Sequence, residues 1–221
     1  MATPSGLPAG SPATSTSARL WAEAATAGTV WAALHHPFVR RLADGTLPPA
    51  VFRFYIAQDA AFLAAFAAGY EGARAAAREA GDGAAVDVLT GLGDAVAEEL
   101  RLHAAYAAAW GVPPSDLAGP PAPATAAYTA FLEGAGNGCA GLARVAAILA
   151  AMAPCSRLYG FLGCALAGAG VVGRWGHEGM AARHPFADWI ETYSSPGYLA
   201  APAAKEALLD LVAGEVDKGE R

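Results

Sequence analysis

This sequence predicts an all-α fold, on three observations. Apolar residues make up 55% of the chain and charged residues only 15%. Much of the apolar share is alanine, the best helix former. Bulky apolar residues recur at helical spacing over long stretches, and no stretch shows the two-residue alternation of a half-buried strand. A bundle of roughly seven helices follows, in a single helical domain over residues 18–221 without internal repeats.

The elements can be placed in order. Residues 1–17, MATPSGLPAGSPATSTS, are rich in Pro, Gly, Ser and Thr and lack acidic residues. They read as a disordered tail or a short targeting segment. SARLWAEAATAGTVWAAL (17–34) is amphipathic, with Trp21, Val30, Trp31 and Leu34 as its bulky positions. His36-Pro37 interrupts it, and the next segment is a short helix ending at the Asp44-Gly45 turn. Pro48-Pro49 opens a long helix to Glu79, because a proline is tolerated in the first helical turn. Gly81-Asp82-Gly83 reads as a loop, and Val86 to Gly111 as the third long helix. A proline-rich connector covers 111–124, and a fourth helix covers 125–136. The run from Cys139 to Gly170 reads as a helix bent at Pro154, since a proline inside a helix removes one hydrogen bond and clashes one turn back. HPFADWIETYSS (184–195) and APAAKEALLDLVAGEV (201–216) supply the last two helices.

Composition narrows the function. The net charge is −6 and there is no Lys/Arg cluster, which argues against a nucleic-acid or anionic-membrane partner. No uncharged apolar run is long enough to suggest a membrane span. Three cysteines without metal-ligand spacing argue against a disulfide framework and a zinc site. A reducing compartment fits, so the cytoplasm is expected, or a plastid or mitochondrion if the first 17 residues are a transit segment. No cofactor is implied.

Four sets of residues could carry chemistry. Asp59 shares a helix face with Phe62 and Phe66. A carboxylate there is costly unless it is paired or binds something. Both a structural pairing and a functional role stay open. Cys155 follows Pro154, with Tyr159 one turn on. A thiol there is either a nucleophile or a small core filler, and spacing alone favours the filler. Cys139 and Cys164 read as fillers. Glu99 and His103 stand at i, i+4, which suits a hydrogen-bonded pair better than a metal site. A metal-dependent oxidase, suggested by that pair alone, ranks last, because a di-metal bundle uses repeated Glu-x-x-His motifs. Tyr128, Tyr159 and Tyr193 lie in apolar helices and would form a ring-binding site if they converged.

Five stretches in order resemble the TenA family, which includes thiaminase II (aminopyrimidine aminohydrolase). They are HPFVRRLADGTLPPAVFRFYIAQDAAFL, EELRLH, AYTAFL, AMAPCSRLYGFLG and HPFADWIETYSS. The wording is most similar to plant and algal members. The resemblance implies a heme-oxygenase-like helical bundle, usually a homotetramer. Its small-molecule partner would be a pyrimidine: hydroxymethylpyrimidine, an aminopyrimidine or thiamin. It implies thiamin salvage by cysteine-dependent hydrolysis, either of an aminomethylpyrimidine to hydroxymethylpyrimidine or at the thiamin C–N bond. By the same resemblance Cys155 stands at the nucleophile position and Asp59 at the carboxylate that bonds the ring. Tyr128, Tyr159 and Tyr193 match pocket tyrosines. Phe62 stands where many members have tyrosine, which keeps the stacking surface and drops one hydroxyl. The family pattern also has a later helix whose glutamate is the catalytic acid/base, and Glu206 and Glu215 do not match it. A pyrimidine-binding module with weak or no turnover is therefore the alternative expectation.

Overall fold

The computed structural model describes residues 15–176 and 183–219. The tail read over 1–17 lies outside them, except Ser15, Thr16 and Ser17. The described residues are helical with no strand, as the sequence predicts. In order the helices are α1 (Thr16–Ala22), α2 (Ala24–Leu34), α3 (Pro37–Ala43), α4 (Pro49–Glu79) and α5 (Gly83–Ala109). They continue with α6 (Pro114–Leu117), α7 (Pro123–Gly134), α8 (Gly141–Gly168), α9 (Ala187–Ser194) and α10 (Pro196–Gly219). A single 3-10 turn covers Val172–Arg174.

Local chemistry sets the boundaries. The Ser15 hydroxyl accepts from the Ala18 amide at 3.2 Å and caps α1. The Asp82 carboxylate accepts from the Ala85 amide at 2.9 Å and caps α5. An aspartate in this role satisfies an amide that the first turn leaves unpaired. Gly83 therefore begins a helix, where the sequence reading placed a loop. The stretch read as one helix over 17–34 divides at Glu23, whose backbone leaves the helical region. The proline-rich connector contains one short helical turn, α6.

The chain divides into two compact units, each built from discontinuous segments. The first comprises residues up to Leu47 together with Ala153–Ala207. The second comprises Pro48–Met152 and the residues from Leu208.

In the second unit α4 packs along α5 and α7. Phe52, Ile56, Leu63, Phe66 and Tyr70 form the buried stripe of α4, facing the buried Leu89, Leu92 and Val96 of α5. Phe52 is fully buried, and its ring lies 4.5 Å from that of Trp110. Phe52→Ala should cost about 3–5 kcal/mol of unfolding free energy, read by urea denaturation.

In the first unit the core is Val39, Leu42, Leu162, Leu166, Phe186, Trp189 and Ile190. The two His-Pro-Phe words fold alike. In each, the histidine Nδ1 accepts from the phenylalanine amide two residues on, at 3.2 Å for His36 and 3.1 Å for His184. His184 is buried, and its Nε2–H donates to the Ala43 carbonyl at 3.1 Å, tying the loop before α9 to the end of α3. Gly45 closes the turn after α3 with φ +68°, against the Trp175 ring. Any side chain there would meet both backbone strain and that ring.

By length and composition alone, Pro49–Glu79 and Gly141–Arg174 are long and apolar enough to cross a membrane, which the sequence reading did not anticipate. Both helices supply core side chains, among them Phe52 and Ile56 from one and Val145, Leu149 and Met152 from the other. Core helices pass the same length test.

Candidate functional site

The residues singled out in the sequence fall into two clusters, one in each unit. In the second unit the centre is Asp59 on α4. Its Oδ2 lies 3.5 Å from Nε2 of His103 on α5, and both side chains are largely buried. The carboxylate on the aromatic stripe thus has an imidazole beside it across two helices, without a hydrogen bond at His103 Nε2. His103 was visible in the sequence, but its spacing suggested Glu99 as its partner. Glu99 joins the same electrostatic group. Its carboxyl is pushed above the ordinary carboxylate range, first by the protein packed around it and then by the Asp59 charge, while His103 works in the opposite direction. The Glu99 residue as a whole is nevertheless exposed. Burial also raises the nearby Tyr70 hydroxyl, with Glu99 as the second cause. Among the described residues, no group of three or more His, Cys, Asp or Glu is arranged to hold a metal ion.

Phe62 and Tyr128 stack with ring centroids 5.8 Å apart and planes 7° apart. Phe62 also packs on Phe66 at 5.0 Å, and Tyr128 on the exposed Phe131 at 6.2 Å. The aromatic stripe expected from α4 thus extends onto α7. Gln58, next to Asp59, accepts from the Ala122 amide at 2.7 Å and fixes the start of α7 to α4.

In the first unit the cluster gathers around Cys155 on α8. The helix continues through Pro154, which lies on its exposed side. Cys155 is half-buried. One turn on, Tyr159 joins a continuous aromatic group. Its ring lies 4.9 Å from Tyr193 and 6.0 Å from Trp189, and Tyr193 lies 4.8 Å from Tyr198. Two of the three predicted tyrosines therefore meet, and Tyr128 belongs to the other cluster. Gly163 makes this approach possible: a Cβ at that position would stand 2.5 Å from the Tyr193 backbone.

Arg157 has an acidic partner. Its guanidinium donates to Glu206 of α10 at 2.8 Å and lies over the Trp21 ring, 4.6 Å from its centroid. Both charged side chains are mostly buried. Arg157→Ala should cost about 1–3 kcal/mol, because it strands the Glu206 charge and uncovers Trp21. A thermal melt reads that loss. Cys139 departs from expectation: it is exposed, so it is no core filler. Cys164 is half-buried.

Lys205 is the residue the sequence reading missed. It is 1% exposed, and its Nζ donates to the Ser156 hydroxyl at 2.5 Å. Burial lowers its pKa from 10.5 to about 7, while Cys155 and then Glu206 act to raise it. The signal lay in helical spacing. Pro202, Leu208, Leu209 and Val212 are buried at i−3, i+3, i+4 and i+7, which puts Lys205 in the middle of an apolar stripe. Tyr198 strengthens the same junction by donating its hydroxyl to the Ser156 carbonyl at 3.2 Å.

The family model described as TENA/THI-4/PQQC family matches residues 25–221. The chain belongs to the TENA/THI-4/PQQC family. A solved structure of a TenA family transcription regulator from a Silicibacter species superposes with a TM-score of 0.67 at 32% identity, covering 84% of this chain and 76% of that one. The all-α fold is therefore that of TENA/THI-4/PQQC proteins. The aminopyrimidine aminohydrolase of Halalkalibacterium halodurans is 31% identical over 170 residues, 75% of this chain and 69% of that protein. The thiamine biosynthesis multifunctional protein ThiED of Corynebacterium efficiens is 33% identical over 198 residues, 90% of this chain. This chain spans only 24% of that relative's length.

Proposed function

We propose that this chain is a hydrolase of thiamine metabolism that exchanges a substituent on the methylene group of an aminopyrimidine for water. The observation that carries the reading is the family match over residues 25–221; the nucleophile role is assigned to Cys155 from the resemblance of its PC-x-x-LY word. The names of two relatives, an aminopyrimidine aminohydrolase and a thiamine biosynthesis protein, point to the same substrate class.

In the proposed reaction the Cys155 sulfur adds to the pyrimidine ring and the substituent leaves. Water then forms the new C–O bond, and the sulfur departs from the ring. For an aminomethyl substrate, one water is consumed and one ammonia and one hydroxymethylpyrimidine are produced. For thiamin the thiazole leaves in place of ammonia. The resemblance assigns Asp59 the role of accepting from a nitrogen-bearing edge of the substrate, which suits a carboxylate beside His103. Each unit offers flat aromatic surface of the kind a heteroaromatic ring stacks on, from Phe62 and Tyr128 in one and from Tyr159 and Tyr193 in the other.

The test is to incubate the purified chain separately with aminomethyl-aminopyrimidine and with thiamin and follow hydroxymethylpyrimidine by chromatography. Release from either substrate supports the reading, and the faster one identifies the preferred leaving group. No release from either overturns it.

A further inference from the structure

Nε2 of His103 is buried and makes no hydrogen bond. The residue is 9% exposed and is the one polar member of the buried stripe of α5, which otherwise consists of Ala85, Leu89, Leu92, Val96 and Ala107. An apolar side chain would fill that place without electrostatic cost. A polar atom left unbonded in the interior is costly and calls for a reason. The atom faces Asp59, whose Oδ2 stands 3.5 Å away across the packed pair α4 and α5. That is longer than the about 2.7–2.9 Å of a charge-assisted bond between an N–H and a carboxylate.

We propose that His103 is a positioning residue that acts through Asp59: its Nε2–H closes onto Oδ2 when a ligand docks and holds the carboxylate in one orientation toward the ligand's nitrogen-bearing edge. The inference rests on the reading of Asp59 as the carboxylate that meets an aminopyrimidine. No covalent bond is made or broken in the step. A hydrogen bond shortens, with Nε2–H as its donor and Oδ2 as its acceptor throughout.

The setting favours this role. An imidazole nitrogen and a carboxylate oxygen that faced each other with lone pairs alone would repel, so a proton belongs between them, and the Nε2–H form of the ring supplies it. The last torsion of an aspartate is soft, so the plane of its carboxylate turns freely until something holds one oxygen. Donors and acceptors in a site without its ligand often stand at long distances and tighten only in the complex. Glu99, one helical turn before His103, is the rival for the imidazole. Its carboxyl is pushed above the ordinary range, first by burial and then by Asp59, which disfavours a second negative charge beside the pair. Asp59 is thereby left as the acid that His103 serves. Phe62, at i+3 from Asp59 on the same face of α4, stacks on Tyr128 of α7. A ring bonded to the carboxylate therefore has flat aromatic surface one helical turn away.

The test is calorimetric binding of hydroxymethylpyrimidine to the full chain and to two variants. His103→Leu keeps much of the volume and removes the donor, and should weaken binding about tenfold or more. His103→Gln brings an amide N–H to the same region and should recover most of that loss. Equal affinity of His103→Leu and the wild type would overturn the proposal. So would His103→Gln binding as weakly as His103→Leu, since a purely structural role for the ring gives no rescue by a donor. A second measurement does not depend on a variant folding. Nitrogen-15 NMR of the wild-type histidine rings, with His103 assigned through its backbone amide, should show a protonated Nε2 whose proton moves downfield when hydroxymethylpyrimidine is added. A bare Nε2, or a proton that does not move in the complex, contradicts the role. A protonated Nε2 in a chain that neither binds nor releases hydroxymethylpyrimidine would sink the hydrolase reading alone. Turnover with His103→Leu binding as tightly as the wild type would sink the positioning role alone.

Discussion

Cys155→Ser should reduce release of hydroxymethylpyrimidine by roughly 10³-fold or more, measured as kcat/KM at saturating and limiting substrate. The serine is close in size, so the aromatic group of Tyr159, Trp189, Tyr193 and Tyr198 keeps its packing. What it loses is nucleophilicity: a hydroxyl in that position has a far higher pKa than a thiol. Substrate binding, read by calorimetry with hydroxymethylpyrimidine, should change much less than turnover. A proportionate loss of both would mark Cys155 as a packing residue, the reading that spacing alone favours. The same replacement at the exposed Cys139 should leave activity unchanged.

Lys205→Met should stabilise the protein at neutral pH, because burial depresses the amine's pKa from 10.5 to about 7 and that cost disappears with the amine. The sign follows from the depressed pKa. The unfolded chain titrates this amine near 10.5 and the folded chain near 7. Between those values the unfolded state holds more protons, so the wild type gains stability as pH rises across that window. Below pH 7 the full cost of burying the amine is present. The gain from Lys205→Met should therefore be largest at pH 7 and below and shrink toward pH 10. Urea midpoints collected at pH 6.5, 8 and 9.5 read this trend. A gain that stays constant with pH would mean that the amine is not the source.

Much of this protein could be read in its sequence, for reasons specific to particular residues. The long helix from Pro49 to Glu79 could be placed because prolines occupy its first turn and its apolar residues keep helical spacing. Gly83 was misread because glycines normally mark loops, and here an aspartate cap overrides that tendency. The division at Glu23 depends on two backbone angles that the surrounding alanines do not report. The partner of Asp59 was hidden for a different reason. Asp59 and His103 are 44 positions apart in the chain, and their meeting depends on the register between α4 and α5, which helical periodicity does not specify. Lys205 was the most accessible of the misses. Its neighbours at i−3, i+3, i+4 and i+7 already described a buried stripe, and a lysine in such a stripe calls for a partner.

The central claim, cysteine-dependent hydrolysis at an aminopyrimidine, is tested most directly by product stoichiometry on a single preparation. Ammonia and hydroxymethylpyrimidine are measured from aminomethyl-aminopyrimidine before and after alkylation, with peptide mass spectrometry giving the fraction of Cys155 modified. The account predicts equal amounts of the two products, and a rate that falls in proportion to the fraction of Cys155 alkylated. Full activity with Cys155 completely alkylated, or no product from the unmodified chain, would contradict it.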